Sequence, residues 1–166
     1  MEGLPTEFLY LKKLLSKNND FEISQVLIEK ESSEYGACSF ILNNKNIRFR
    51  SAKITPTKTG QFVTLWKRIN QGPIQPFDNS DPIDVFIISV RKKDYFGLFA
   101  FPKAVLIDKG IVSDKKEGKR AIRVYPSWDL TTSKQAQKTQ KWQLDYFVEI
   151  PENETMDSEL VKSFFI

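Results

Sequence analysis

The stretch Thr55-Pro-Thr-Lys-Thr-Gly-Gln-Phe-Val-Thr-Leu-Trp-Lys-Arg68 concentrates residue types that bind oxyanions. Backbone N–H groups around Gly60, threonine hydroxyls and the Lys58 ammonium can converge on one phosphate. Trp66 beside Lys67 and Arg68 adds a stacking surface next to charge, and Lys53 lies just upstream. A second basic group, Arg48, Arg50 and Arg123, falls on expected strands. A third lies on an expected helix, where Lys134, Lys138 and Lys141 recur at i, i+4 and i+7 on one face. Gln135, Thr139, Trp142 and Tyr146 occupy the adjacent face. That helix carries one acid, Asp145, so a polyanion suits it better than a partner helix. It equally suits a solvated lysine face with Trp142 and Tyr146 in the core.

Metal chemistry has a weaker footing. Mg²⁺-dependent nucleases place a carboxylate at the start of one strand and acid-x-Lys on the next, which sets two ligands and a cation around the scissile phosphate. Here Asp84 opens an apolar strand and Lys103 takes the place of the cation, but Phe101 stands where the acid belongs. A phenyl ring cannot ligate magnesium. Asp84 and Lys103 are therefore candidates for a degenerate site, and no catalytic or metal residue is assigned. Asp84 also reads as an ordinary polar residue at a strand entrance. The enzymatic alternative is a Mg²⁺ or Mn²⁺ nuclease whose missing carboxylate comes from Asp81 or Asp108.

Composition narrows the field. The chain has 166 residues with 25 Lys and Arg against 21 Asp and Glu, a net charge of +4 that permits a polyanionic partner without demanding one. Histidine is absent, which removes Ser-His-Asp and Cys-His catalysis and His-ligated metals. The lone Cys38 excludes a disulfide framework within the chain and reads as a small buried strand residue. There is no Walker loop and no GxGxxG. No signal peptide or membrane span is expected, so the expected setting is a reducing cytoplasm with no membrane partner. No cofactor is expected, and nothing in the pattern speaks to oligomeric state.

The elements that must position these residues read as one domain over 1–166. Phe8, Leu11, Leu14 and Leu15 predict a helix over 5–17. Residues 21–31 fit helix and strand equally. Ala37–Leu42 and Ile47–Arg50 alternate around Asn43–Asn46 and predict a hairpin, with Ile47 and Phe49 inward and Arg48 and Arg50 outward. Strands follow over 61–68, 84–90, 95–101 and 120–125, the second apolar enough for burial on both faces. Residues 69–82 are a proline-rich connection and 113–119 a charged loop. Helices are predicted over 103–109, capped by Gly110, and 134–146, capped by Thr132 or Ser133. The apolar ending Leu160–Ile166 is expected to dock on the body.

Four segments together resemble a known family. Lys58-x-Gly-Gln-Phe-Val-Thr-Leu-Trp-Lys-Arg68, Asp84-Val-Phe-Ile-Ile, Arg123-Val-Tyr-Pro-Ser-Trp-Asp129 and Ser133-Lys-Gln-Ala-x-Lys-Thr-Gln-Lys-Trp-Gln143 are similar to the MepB family of small bacterial proteins. The family is named for a product encoded beside a multidrug efflux pump and its regulator. The resemblance implies an α/β fold of the α+β mixed-sheet kind, a degenerate PD-(D/E)XK endonuclease-like core with an added β-hairpin. Helix 5–17, strands near 61–68, 84–91 and 95–101, helix 103–109 and strand 120–125 would form that core. It also implies binding of nucleic acid, single-stranded DNA or RNA ahead of duplex DNA, without cutting. The binding candidates are then Lys53, Lys58, Trp66, Lys67, Arg68, Arg123, Lys134, Lys138, Lys141 and Trp142, with Trp128 as a further stacking candidate. A protein-interaction module with no nucleic-acid role is the remaining class.

Overall fold

The computed structural model describes residues 3–151 and 162–163. Helix α1 (Thr6–Ser16) follows Pro5 and buries the single stripe Phe8, Leu11, Leu14 and Leu15. Residues 21–31 resolve as a strand, β1 (Ile23–Ile28), antiparallel to β2 (Cys38–Leu42). The register shifts between Ser24 and Leu27, and Gln25 has φ 52°. That irregularity breaks the two-residue alternation, which is why the segment shows no clear period. Strand β3 (Lys45–Ser51) completes the expected hairpin through Asn43 and Asn44, both at positive φ as the tight turn requires.

The strand expected over 61–68 is two strands. After β4 (Lys53–Ile54) come β5 (Gln61–Thr64) and β6 (Trp66–Arg68), and Leu65 between them is buried. Strand β6 pairs with β7 (Ile74–Pro76) inside the proline-rich connection, where Phe77 is buried, as is Ile83 just after it. Strands β8 (Val85–Lys92) and β9 (Tyr95–Pro102) form the long central hairpin. Helix α2 (Lys103–Asp108) starts after Pro102 and ends near Gly110, which has φ +73°. Strand β10 (Ala121–Val124) precedes α3 (Lys134–Gln143), which ends three residues earlier than expected in a single 3₁₀ turn, Leu144–Tyr146. Strand β11 (Phe147–Ile150) is not marked by any period in the sequence.

The main sheet has the order β1-β2-β3-β8-β9-β11, with β3 and β8 parallel and the other neighbours antiparallel. The mixed sheet, the few helices and the added hairpin match the expected α+β class. Two smaller sheets, β10-β5-β4 and β6-β7, stand apart, so the main-sheet neighbour of β8 is β3 rather than the 61–68 segment. One face of the main sheet carries Phe40, Phe49, Ile87 and Leu98 and is covered by α1. The other carries Phe86, Ile88, Phe99 and Phe101 and is covered by Val63 of β5, Ile122 and Val124 of β10, and Leu106 of α2. Phe147 lies across Gly97, where a Cβ would sit 2.4 Å from its ring. Cys38 is buried in β2, and its thiol is pushed up to about 12, chiefly by burial and secondly by Glu29. No helix among the described residues is long and apolar enough to cross a membrane. The expected docking of Leu160–Ile166 falls outside the described residues, apart from Lys162 and Ser163.

The double covering overturns the expected outward face of β3. Ile47 and Phe49 do face α1, but Arg50 on the opposite face is fully buried. Its Nη1 and Nη2 donate to the two carboxylate oxygens of Glu29 at 2.9 and 3.0 Å, and Nη1 also donates to Phe49 O. Arg48 joins the same carboxylate at 3.3 Å, and both guanidinium groups lie within 5.8 Å of the Phe77 ring centroid. Removing one partner would strand a charge indoors. Glu29→Ala should therefore cost about 3 kcal/mol in urea unfolding, and the double change Glu29→Leu/Arg50→Met should recover most of that loss.

Candidate nucleic-acid interface

The Thr55–Gly60 loop is held from beneath by Arg123 on β10. Arg123 Nη1 donates to the carbonyls of Thr59 and Gly60, each at 3.3 Å, and Nη2 donates to Thr55 Oγ1 at 2.7 Å. Gly60 has φ +83°, and a Cβ there would meet the Tyr125 ring at 2.7 Å, so the loop can close on β10 only with glycine. Arg123, expected to contact phosphate, instead commits most of its donors to shaping this loop.

Helix α3 is fixed to β10 and to residues 125–131 by glutamines spaced three apart. Gln143 is buried, donates to Arg123 O at 2.9 Å and accepts from Tyr125 N at 2.8 Å. Gln140 Nε2 donates to the carbonyls of Pro126 at 2.9 Å and Asp129 at 3.0 Å, and Gln137 Nε2 donates to Thr131 O at 3.1 Å. Ser133 caps the helix by accepting from Ala136 N at 3.1 Å, as the sequence suggests. These bonds set the rotation of α3 about its axis.

That rotation turns Ser133, Gln135, Thr139 and Trp142 toward an open groove of about 670 Å³. The groove also carries four cations, Lys58, Lys109, Lys119 and Arg123, and among the described residues no carboxylate lines it. Lys109 Nζ lies 5.4 Å from the centre of the Trp142 ring. Lys58 and Lys119 have no ion-pair partner among the described residues. The stripe Lys134, Lys138 and Lys141 is exposed but outside the groove, on the neighbouring face of α3. Trp142 and Tyr146 pack against the core, and Trp142 also lines the groove.

Other candidates lie elsewhere. Lys67 is not presented to a ligand, because its ammonium sits between Asp78 at 2.8 Å and Asp81 at 2.7 Å. Arg68 stacks over Trp66 at 5.5 Å, donates to Gly72 O and pairs with Glu31 at 3.2 Å. Lys53 sits 5.0 Å from the Tyr35 ring centre. Trp128 is stacked under Tyr95 at 5.4 Å rather than facing the groove. Lys109 and Lys119 are the site residues that sequence reasoning missed. Nothing marks them beyond a position beside a helix-ending glycine and a place in a charged loop.

The would-be metal corner is built for structure. Asp84 Oδ2 accepts from Asn46 N at 2.7 Å, tying the entrance of β8 to β3. Lys103 Nζ donates to the carbonyls of Asn79 and Asp81 at 3.0 and 3.1 Å. Phe101 is fully buried, stacked on Phe99 and 5.5 Å from Trp142. Asp81, a candidate replacement ligand, is committed to Lys67 and to Asp78 N, and Asp108 is 78% exposed at the far end of α2. Among the described residues no group of three or more acids, cysteines or histidines is placed to hold a metal.

A family model described as MepB-like matches residues 29–149. The chain belongs to the MepB-like family. A structure titled "Crystal Structure of MepB" is 34% identical, with a TM-score of 0.76 over 87% of this chain and 97% of that one. A bacterial homing endonuclease, I-Ssp6803I, aligns over 84% of this chain and 87% of its own at 16% identity and a TM-score of 0.46. No curated protein matches the chain.

The Lys67 cluster has a measurable pH signature. The bond from Lys67, and after it that from Ser80, holds the Asp78 carboxyl down at about 2 from its ordinary 3.8. A depressed carboxyl favours the folded state when ionised, so its contribution is full above the ordinary value and is lost as pH falls toward 2. The side chain is 33% exposed, which reduces the effect by solvent screening. Asp78→Asn should lose on the order of 1 kcal/mol at neutral pH in urea unfolding. The gap between the two proteins should close at about pH 2.

Proposed function

We propose that the groove between α3 and the β10-β5-β4 sheet binds the backbone of a nucleic-acid strand without cutting it. The observation that carries this reading is a groove lined by four cations and two aromatic side chains, Tyr125 and Trp142, with no acid among the described residues that line it. Cations gathered in a groove attract phosphates through the release of condensed counterions, Lys58 and Lys119 most freely because Lys109 also pairs with Asp108 at 3.9 Å, and an aromatic ring in the same groove offers a face for an unpaired base. Single-stranded DNA or RNA therefore suits it better than duplex, whose bases are already stacked. The exposed lysines at 134, 138 and 141 extend the positive field along α3 and would meet phosphates flanking those in the groove. The bonding of Asp84 and Lys103 to backbone groups supports a holding role over a hydrolytic one. A cytoplasmic setting without cofactor belongs to the same proposal.

The test is fluorescence anisotropy with labelled single-stranded oligonucleotides across about 50 to 200 mM salt. Binding should fall steeply over that range. The triple change Lys58→Gln/Lys109→Gln/Lys119→Gln should weaken it at least tenfold and flatten the log–log salt slope by about 2, at roughly 0.7 for each phosphate no longer neutralised. Equal affinity at both salt concentrations would overturn the proposal and favour a protein-interaction module. Cleavage of the oligonucleotide with Mg²⁺ or Mn²⁺, abolished by Asp84→Ala, would return the protein to the nucleases.

A further inference from the structure

Beyond the Thr55–Gly60 loop lies a second pocket that the backbone-binding role does not use. It has a volume of about 480 Å³, and the loop itself forms one wall, with Lys92, Trp128, Asp129 and Leu130 opposite. Lys58 lines both this pocket and the groove, so the loop is a thin partition between the two. Two apolar side chains stand in water at the pocket: Leu130 is 83% exposed and Ile54 is 55% exposed. Between them and the floor sits one carboxylate, Asp129, whose side chain is only 10% exposed. It lies 3.8 Å from Lys92 Nζ. A carboxylate has about four lone-pair positions, so acceptor capacity remains toward the cavity.

Two exposed apolar side chains, a buried carboxylate, a threonine-rich wall and a lysine at each side match one chemical group better than others. A nucleobase is flat and largely apolar on its faces, carries donors on its edge and is joined to phosphate on both sides. A carboxylate accepts from the exocyclic amino group of cytosine. Thymine and uracil present a carbonyl oxygen in that position and would repel it. We propose that this pocket receives one unpaired base bearing an exocyclic amino group, turned out from the strand whose phosphates lie in the adjoining groove. Leu130 and Ile54 would cover the faces of the base, Asp129 would accept from its amino group, and Lys58 and Lys92 would meet the flanking phosphates. The inference rests on the proposed backbone-binding role of the groove.

The test compares the full chain binding oligo(dC), oligo(dT) and an oligonucleotide in which 2-pyrimidinone replaces cytosine, removing only the amino group. At one salt concentration oligo(dC) should bind roughly five- to tenfold more tightly than oligo(dT), the discrimination expected of one base contact. The 2-pyrimidinone strand should lose that advantage. Asp129→Asn should erase the difference between oligo(dC) and oligo(dT), because an amide offers donor and acceptor alike and no longer repels the thymine carbonyl. Equal, salt-sensitive binding of all three strands by the unaltered protein would overturn the base pocket while leaving the groove intact, and would assign the cavity another occupant. Failure of every strand to bind would overturn both readings together. Full retention of affinity by the 2-pyrimidinone strand would overturn the role of Asp129 without any substitution in the protein.

Discussion

Strand β8 has no polar face along most of its length. Val85, Phe86, Ile87, Ile88 and Val90 are all buried, so apolar surface leaves the sheet in both directions and each side must be covered. Helix α1 covers one side with four apolar residues at helical spacing. The other side has no comparable helix. It is covered by short strands and a six-residue helix that cannot form an independent core and lean on β8 instead. The groove is built entirely on this second layer, so its shape is set by the need to hide Phe86, Ile88 and Phe101.

The charges are sorted along the same line. Where cations approach the main sheet they meet acids: Arg48 and Arg50 share Glu29, Lys67 lies between Asp78 and Asp81, and Arg91 pairs with Glu7. Around the open concavity of the outer layer, Lys58 and Lys119 have no carboxylate partner among the described residues. Paired cations organise the fold, whereas clustered unpaired ones raise the local potential and cost the folded state some self-repulsion. The two kinds cannot be told apart by residue type. Lys67 and Lys58 lie nine positions apart in one oxyanion-like motif, and only the contacts of the folded chain separate them.

How much is legible follows from how far each signal reaches along the chain. Helix α1, the β2–β3 hairpin, β8, β9 and the start of α3 depend on local period, turn residues and caps, and the sequence shows each of them. Alternation points Arg50 outward because it distinguishes two faces of a strand without saying whether the second is covered. The segment 61–68 reads as one strand, yet Leu65 marks a change of sheet set by partners far along the chain. In the site, Lys58 and Trp142 are marked by their neighbours in sequence. Lys109 and Lys119 are not, because their place in the groove depends on α2 and β10 packing beside α3. Arg123, singled out for phosphate, bonds to the Thr55–Gly60 loop across the sheet, which its place on an expected strand does not reveal.

The side-chain amide of Gln143 has a further consequence. It donates to the carbonyl of Arg123 and accepts from the N–H of Tyr125, the pair of bonds that a neighbouring strand would make at that edge of β10. A helix thus stands in for a strand by a single residue. A small sheet ending in an exposed edge is a template for a second chain to add to, and hence for unwanted assembly. By occupying that edge with an amide, the protein can keep a basic, open surface in solution while closing the sheet behind it to growth.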